Sequence, residues 1–142
     1  GITGEFGISP QDLHLEIDES CYAENPQQLV QVTGRLRDKG FVVELDDFGS
    51  GHSSLSILSS LPIDVLKIDM QFIKSMHDDE KNMKMLEIIM DIARTLDVPV
   101  TAEGVQTEQQ YRDLKKMNCN MIQGYFSKPV PADEFEALLT NS

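Results

Sequence analysis

Five short apolar segments, separated by the patterns of amphipathic helices, constrain the fold of this chain more than any other feature of its sequence. Each segment is rich in Val, Ile and Leu, as buried strands are, and they span residues 13–17, 41–46, 65–68, 98–102 and 121–126. Regular alternation of strands and helices predicts a parallel sheet with right-handed crossovers. In such folds the chemistry lies at the carboxyl ends of the strands.

Helix signals occupy the intervals between these segments. Asn25, followed by a proline, is a typical helix N-cap, and Thr107 followed three residues later by Gln110 resembles a capping box. Apolar residues at helical spacing predict further helices, which are 53–61, 80–96 and one that follows Pro131. We therefore expect one α/β domain, or part of one, from a chain of 142 residues.

The charge of the chain excludes one class of partner. It carries 24 acidic and 12 basic residues, a formal net charge of −12, which repels nucleic-acid phosphates, so we expect neither DNA nor RNA as a partner. No apolar run approaches the ~18–20 residues of a membrane span, so no membrane contact is expected of this segment. Cys21 and Cys119 form no CxxC pair, which favours a reducing, cytoplasmic location. Any membrane tether would come from other domains of the parent protein.

Polar side chains stand at the ends of all five predicted strands. They are Glu16 and Glu19, Asp46 and Asp47, Lys67, Glu103, and Gln123. Charges within a parallel sheet are costly to bury unless they are paired or bound to metal. Helix capping or loop solvation explains Glu19 well, but it explains the Asp46–Asp47 pair and Lys67 poorly. The strand ends after Asp46, and we expect the following Gly49 turn to bring Asp47 into the same cluster.

Carboxylates without a His or Cys cluster favour Mg²⁺ or Mn²⁺ over zinc. Two such ions ~3.5–4 Å apart activate a water and hold a phosphoryl oxygen. A nearby lysine adds positive charge where negative charge develops in the transition state. The residues thus indicate metal-dependent phosphoryl chemistry, and the alternative for each of them is a structural ion pair or hydrogen bond.

Five segments resemble, in order and spacing, the successive motifs of the EAL family of bacterial phosphodiesterases. They are LHLEIDES, ELDDFGSGHSSL, VLKIDMQFI, TAEGVQTEQQ and NMIQGYFSKPVPADEF. The resemblance covers nearly the whole chain. It implies a (β/α)8 barrel of the TIM type, to which this chain contributes about five parallel strands with their intervening helices, and it implies hydrolysis of cyclic di-GMP to the linear dinucleotide pGpG.

The resemblance also implies roles for individual residues in a site for two Mg²⁺ or Mn²⁺ ions. Glu16 and Asp46 match ligands of the first metal, and Asp47 matches a ligand of the second metal or of its water. Lys67 matches the lysine that contacts the attacking water and the scissile phosphate. Glu103 matches a glutamate that acts as general base or as part of the metal shell.

Three further positions match residues around that site. Gln123 matches a polar residue of the same cluster and is counted with the catalytic set. Glu19 matches the glutamate that stabilises the loop after the Asp-Asp pair, which contributes to a dimer in the family. Gln106 stands where the family often has glutamate, near the guanine end of the site, and is a candidate substrate-binding residue.

The Glu-Ala-Leu motif and an asparagine metal ligand, which precede these motifs in the family, have no match here. We therefore expect residues 1–142 to be the C-terminal portion of a single EAL domain that is inactive alone. The alternative is a non-catalytic cyclic di-GMP receptor or a regulatory protein-interaction module, against which the retained metal and lysine positions argue.

Five strands of an eight-stranded barrel leave two strand edges unpaired. They also leave one wall of the barrel interior uncovered, which we expect to be apolar. Alternation does not decide which residues of each strand form that wall, but the candidates are Leu15, Val43, Leu45, and Leu66 or Ile68. Exposed edges and apolar surface favour association, so we expect a homo-oligomer or association with the N-terminal half.

Overall fold

The computed structural model describes residues 2–18, 20–49 and 55–124. These residues form one sheet of five strands: β1 (His14–Asp18), β2 (Val42–Phe48), β3 (Val65–Ile68), β4 (Val100–Glu103) and β5 (Met121–Gln123). The strands pair in parallel and in chain order. The predicted α/β fold with five parallel strands is therefore confirmed. The bounds of the first four strands agree with the sequence prediction to within two residues. The fifth strand ends at Gln123, so Gly124 is not part of it as predicted, and residues 125–126 of the prediction lie outside the described residues.

Seven helices accompany these strands in the described ranges. They are α1 (Ile2–Phe6), α2 (Ser20–Glu24), α3 (Pro26–Asp38), α4 (Leu55–Ser60), α5 (Met70–Lys74), α6 (Glu80–Thr95) and α7 (Glu108–Lys116), with a 3-10 turn at Pro10–Asp12. The periodic helices α3, α4, α6 and α7 were predicted, whereas α1, α2 and α5 are five residues long and too short to show a period. The helix predicted after Pro131 lies outside the described residues. No helix in the described ranges has both the length and the apolar character needed to cross a lipid bilayer.

The helix starts follow their sequence signals. Asn25 caps α3 by accepting a hydrogen bond from the Gln28 amide at 3.2 Å. At the start of α7, Thr107 Oγ1 accepts from the Gln110 amide at 3.2 Å, while Gln110 Oε1 accepts from the Thr107 amide at 3.1 Å. The predicted capping box is thus present, with both reciprocal bonds formed.

The two faces of the sheet differ in chemistry. Cross-strand register places apolar residues beside one another on the helix face, which includes Leu15, Ile17, Val43, Leu45, Phe48, Leu66, Ile68, Val100, Ala102 and Ile122. It places mainly polar residues on the opposite, polar face, which includes His14, Glu16, Glu44, Asp46, Lys67, Thr101, Glu103 and Gln123. The core of the chain lies between the helix face and helices such as α6, whose Leu86, Ile89 and Ala93 join the same buried cluster.

The expectation of an uncovered apolar wall is wrong. Val43, Leu45, Leu66 and Ile68 are each 0% exposed, because they lie on the helix face and belong to the core. The face left without an opposite wall in the described structure is the polar one. Burial of apolar surface across that face would therefore stabilise an oligomer little, and the unpaired strand edges are the remaining reason to expect association.

The first residue of α5 lies very close to the backbone that follows β4. Gly104 follows β4 with a φ of +70°, and a Cβ built on it would lie 2.2 Å from Met70 Cγ and 2.9 Å from Met70 Cβ. The backbone therefore requires glycine here both for its left-handed conformation and for space.

We expect Gly104→Ala to lower the free energy of unfolding by about 1–3 kcal/mol, from overpacking and backbone strain. Gly34→Ala is the matched control, since Gly34 lies in α3 and a Cβ added to it would meet no heavy atom within 4 Å. That control should raise stability by roughly 0.5–1 kcal/mol. Urea unfolding of both variants measures the difference. Equal effects in the two would contradict the proposed close contact.

Candidate active site

The amino group of Lys67 lies at the centre of the polar face, among carboxylates from three other strands. Its Nζ atom is 2.5 Å from Glu16 Oε1 on β1, 2.7 Å from Glu103 Oε1 on β4 and 3.5 Å from Asp46 Oδ1 on β2. Lys67 itself is 6% exposed on the central strand β3. The structure thus brings together four of the predicted site residues, which we call the Lys67 cluster: Glu16, Asp46, Lys67 and Glu103.

The cluster keeps Lys67 charged. Burial by itself lowers the pKa of the Lys67 amino group, but hydrogen bonds to Glu103 and Glu16 and the charge of Asp46 outweigh burial and raise the pKa above its ordinary value. A buried ammonium without such partners would tend to lose its proton. The positive charge is therefore a fixed property of this edge of the sheet at neutral pH.

The Asp46–Asp47 pair lies at a bulge in β2. Leu45 pairs with Leu66 and Phe48 pairs with Ile68, so three residue steps on β2 match two on β3. Asp47 is the additional residue of this bulge. Its φ is 57°, a left-handed conformation that Asp adopts more readily than most residues. The backbone thus departs from regular strand geometry at Asp47 itself, before the turn at Gly49. The entry of Asp47 into the metal cluster stays a prediction.

Negative charge is concentrated around Asp47. Burial and the neighbouring charges of Asp46, Asp69, Asp18 and Glu103 raise the pKa of the Asp47 carboxyl group above its ordinary value. Such crowding of carboxylates at one strand edge costs free energy unless a cation offsets it.

One buried oxygen atom indicates where a cation would fit. Asp46 Oδ1 is buried and accepts no hydrogen bond; its contact with Lys67 Nζ at 3.5 Å is an ion pair only. Buried polar atoms in proteins are normally satisfied, and an unsatisfied carboxylate oxygen in an acidic cluster suits a hard divalent cation. Within the described ranges no three Asp, Glu, His or Cys groups already converge as metal ligands. The fit to a divalent cation thus rests on donor type and on the unsatisfied Asp46 Oδ1, not on a ligand set that has already converged.

The spacing of Glu16 and Asp46 allows them to share one ion. Both side chains contact the same Lys67 nitrogen, so the two oxygens are no farther apart than the sum of 2.5 and 3.5 Å. Carboxylates more than roughly 10 Å apart would be unable to share an ion at metal–oxygen distances of ~2.0–2.6 Å. The geometry is compatible with the predicted ligand set, whose role stays a prediction.

The remaining predicted site residues lie around this cluster or outside the described structure. Gln123 is exposed on β5 and is the register partner of Glu103. Gln106 is exposed in the loop after β4, where its amide donates to Gln110 Oε1 at 2.9 Å. Glu19 lies outside the described residues, so its predicted loop-stabilising role is untested.

A second ionisable pair lies on the polar face and was not predicted from the sequence. His14 Nδ1 lies 2.5 Å from Glu44 Oε1, and Glu44 is 7% exposed. Both residues line a cavity of about 440 Å³ together with Glu16, Lys67 and Gln123. The signal was available as period-two alternation, since His14 and Glu16, like Glu44 and Asp46, are two residues apart and so share a face.

Comparison with known proteins settles the family. The family described as EAL domain matches residues 2–129. The chain belongs to the EAL domain family. A curated relative, the cyclic di-GMP phosphodiesterase NbdA of Pseudomonas aeruginosa, is 38% identical over 136 residues, which are 95% of this chain and 17% of NbdA. The chain thus spans less than a fifth of the length of that relative.

Solved structures show the same fold at higher coverage. The EAL domain of Mycobacterium smegmatis DcpA superimposes with a TM-score of 0.86 at 34% identity. The match covers 99% of this chain and 64% of the solved DcpA chain. BlrP1 of Klebsiella pneumoniae, solved with manganese and cyclic di-GMP, has a TM-score of 0.77 at 27% identity, covering 84% of this chain and 30% of BlrP1. The predicted partial TIM-type barrel is therefore confirmed, because the five strands match EAL structures over part of their length.

The crowding at Asp47 predicts how metal-free stability depends on pH. Because the folded-state pKa is raised, Asp47 favours folding when protonated, and this contribution is lost as the pH rises from its ordinary 3.8 through the raised value. We expect Asp47→Asn to melt at a higher temperature than the wild type near neutral pH without metal.

The matched control for this experiment is Asp97→Asn. Asp97 has nearly the same left-handed φ, 56°, but is exposed and follows α6, away from the strand ends. Thermal melts between pH 4 and 8 should separate the two variants, and Mg²⁺ should raise the wild-type melting temperature more than that of Asp47→Asn. Identical pH profiles for both variants would show that crowding has no energetic effect.

Proposed function

We propose that this chain is the C-terminal portion of an EAL domain that hydrolyses cyclic di-GMP to pGpG with two Mg²⁺ or Mn²⁺ ions. The observation that carries the proposal is the Lys67 cluster, in which a buried ammonium lies beside three carboxylates at one edge of the sheet. Family membership, the activity in the name of NbdA and the bound metal and cyclic di-GMP in BlrP1 support it.

The chain's own residues divide into cation ligands and groups that act on the substrate. Glu16, Asp46 and Asp47 would hold the divalent cations through carboxylate oxygens. Such cations, when bound, lower the pKa of water and neutralise charge on the phosphoryl group. The unsatisfied Asp46 Oδ1 supports this assignment, because a cation would give that buried oxygen its missing partner.

Lys67 and Glu103 act at the reacting atoms in this proposal. The Lys67 ammonium supplies fixed positive charge to the phosphoryl oxygens as negative charge develops there. Glu103 Oε1, which is 2.7 Å from that ammonium, would accept a proton from the attacking water or complete the cation site. The Gln123 amide lies one strand farther along the same face and would orient the substrate, while Gln106 would contact the guanine end.

The test is turnover of cyclic di-GMP by protein that contains the whole EAL domain. We expect Lys67→Ala and Asp46→Asn each to lower kcat by ~10²–10³, the usual loss for one preorganised electrostatic contact. Lys84→Ala, which removes an exposed lysine on α6, is the matched control and should keep wild-type activity. Wild-type rates in Lys67→Ala would refute the catalytic assignment.

The same experiment separates an enzyme from a receptor. A non-catalytic receptor or interaction module would bind cyclic di-GMP without releasing pGpG, and the Lys67→Ala and Asp46→Asn substitutions would change only the affinity. Calorimetric titration beside the turnover assay distinguishes the two functions. Because the proposed site draws on residues beyond this chain, we expect the isolated chain to bind or hydrolyse cyclic di-GMP poorly.

We further expect the isolated chain to associate with itself or with the N-terminal part of the domain. In the described sheet β1 and β5 each pair with one neighbour only, which leaves backbone N–H and C=O groups free for another strand. Sedimentation at micromolar concentration should show species larger than the 16.0 kDa monomer. A single sharp monomer with cooperative unfolding would contradict this expectation.

A further inference from the structure

We propose that Gln110 is a positioning residue for the Lys67–Glu103 pair, an inference that rests on the proposed function of that pair. Gln110 is at the start of α7 and 6% exposed. Its hydrogen-bond partners are Gln106, Thr107 and Ile73. Its effect on Lys67 and Glu103 therefore passes through the two backbone segments that these bonds join.

The side chain of Gln110 uses both ends of its amide group. Its Oε1 accepts from the amides of Gln106 and Thr107, at 2.9 and 3.1 Å. Its Nε2 donates to the carbonyl oxygen of Ile73, at 3.1 Å, in a fully buried bond. A buried amide satisfied at both ends is energetically costly to disturb, since each orphaned partner loses its hydrogen bond without access to water.

Helix capping explains only part of this network. The capping box of α7 needs the reciprocal bonds between Thr107 and Gln110 and nothing from α5. The bond to Ile73 leaves α7 and crosses 37 positions of sequence to another helix. It therefore joins two crossover connections of the barrel in addition to ending a helix.

The two connections that it joins carry the reacting groups. Ile73 lies in α5, which begins directly after β3, the strand of Lys67. Gln106 lies three residues after Glu103 at the end of β4. The β3–β4 ladder pairs residues only as far as Ile68 and Ala102, so Glu103 lies beyond the last pair. The hydrogen bonds of Gln110 link the two segments beyond the point where β3 and β4 stop pairing with each other.

A second contact lies at the same junction. Met70, the first residue of α5, packs so closely on Gly104 that a Cβ there would lie 2.2 Å from Met70 Cγ. This packing limits the distance between the start of α5 and the loop after β4. The directional hydrogen bonds of Gln110 fix the position of one segment along the other. Together they hold Glu103 Oε1 at hydrogen-bonding distance from Lys67 Nζ.

The test uses Gln110→Glu in the complete EAL domain. Glutamate keeps an oxygen that accepts from the Gln106 and Thr107 amides, but it puts a second oxygen against the Ile73 carbonyl in place of the donor. Two control variants test the parts of this hydrogen-bond network separately. Thr107→Ala removes the bond from the Gln110 amide and leaves the bond to Ile73. Gln109→Ala removes a neighbouring, exposed glutamine whose Nε2 bonds Asp113 on its own helix.

We expect Gln110→Glu to lower kcat about 10-fold or more, since small misplacements of reacting groups cost that much, with a smaller change in KM. Thr107→Ala should lower the melting temperature but keep kcat, and Gln109→Ala should change neither. The ¹H–¹⁵N signal of the Lys67 ammonium supplies a readout independent of turnover. It should shift or broaden in Gln110→Glu and stay in place in both controls.

The two readouts separate this proposal from the proposed function. If the wild type fails to hydrolyse cyclic di-GMP, the Lys67 signal alone still decides whether Gln110 positions the pair. An unchanged signal and kcat in folded Gln110→Glu would overturn the proposal. A second variant, Gln110→Met, keeps the length of the side chain without its bonds. Failure of both variants to fold, while Thr107→Ala folds, would assign Gln110 to the core and would also overturn it.

Discussion

The ion pairs of Lys67 are the interactions on which the polar face of this structure depends. A charge that is 6% exposed is stable only with close partners of opposite sign, and Glu16, Asp46 and Glu103 provide them. The dependence is mutual, because these carboxylates would repel one another without the ammonium. Lys67 stands on the central strand, from which its long side chain reaches acids on both sides. Its position therefore allows side chains from three other strands to converge on one ammonium group.

The bulge in β2 allows an acidic pair to follow a buried strand without disturbing the core. Phe48 is almost fully buried and pairs with Ile68 on the helix face. In an unbroken strand, Phe48 would share a face with Asp46, two residues before it. The additional residue at Asp47 shifts that alternation, so Asp46 stays on the polar face and Phe48 returns to the core. The left-handed φ of Asp47 is the local cost of this arrangement.

The sequence was sufficient to predict the elements that repeat a pattern and the ends at which their polar residues meet. Val65–Ile68 is a short segment of three apolar residues and Lys67, and its bounds agree with the prediction. The side of the sheet that faces the helices was not predictable, since alternation divides a strand into two faces without saying which is covered. An apolar barrel interior, usual for TIM barrels, was the wrong guide here. The five-residue α5 and the bulge depend on tertiary contacts, such as Met70 on Gly104, that a local pattern does not contain.

The polarity of the uncovered face separates stability from chemistry in this chain. Its hydrophobic core lies between the sheet and the helices and includes Leu45, Leu66 and Leu86, so the burial that drives folding takes place within the described residues. The polar face has the opposite requirement. Some of its polar side chains, among them Glu16 and Gln123, are exposed to water in the described structure. The proposed electrostatic effect of Lys67 on a phosphate would grow as water is excluded from around it. The same strands therefore form a stable core on one face. On the other face they carry a proposed site whose electrostatic interactions would be strongest once an opposite wall excludes water.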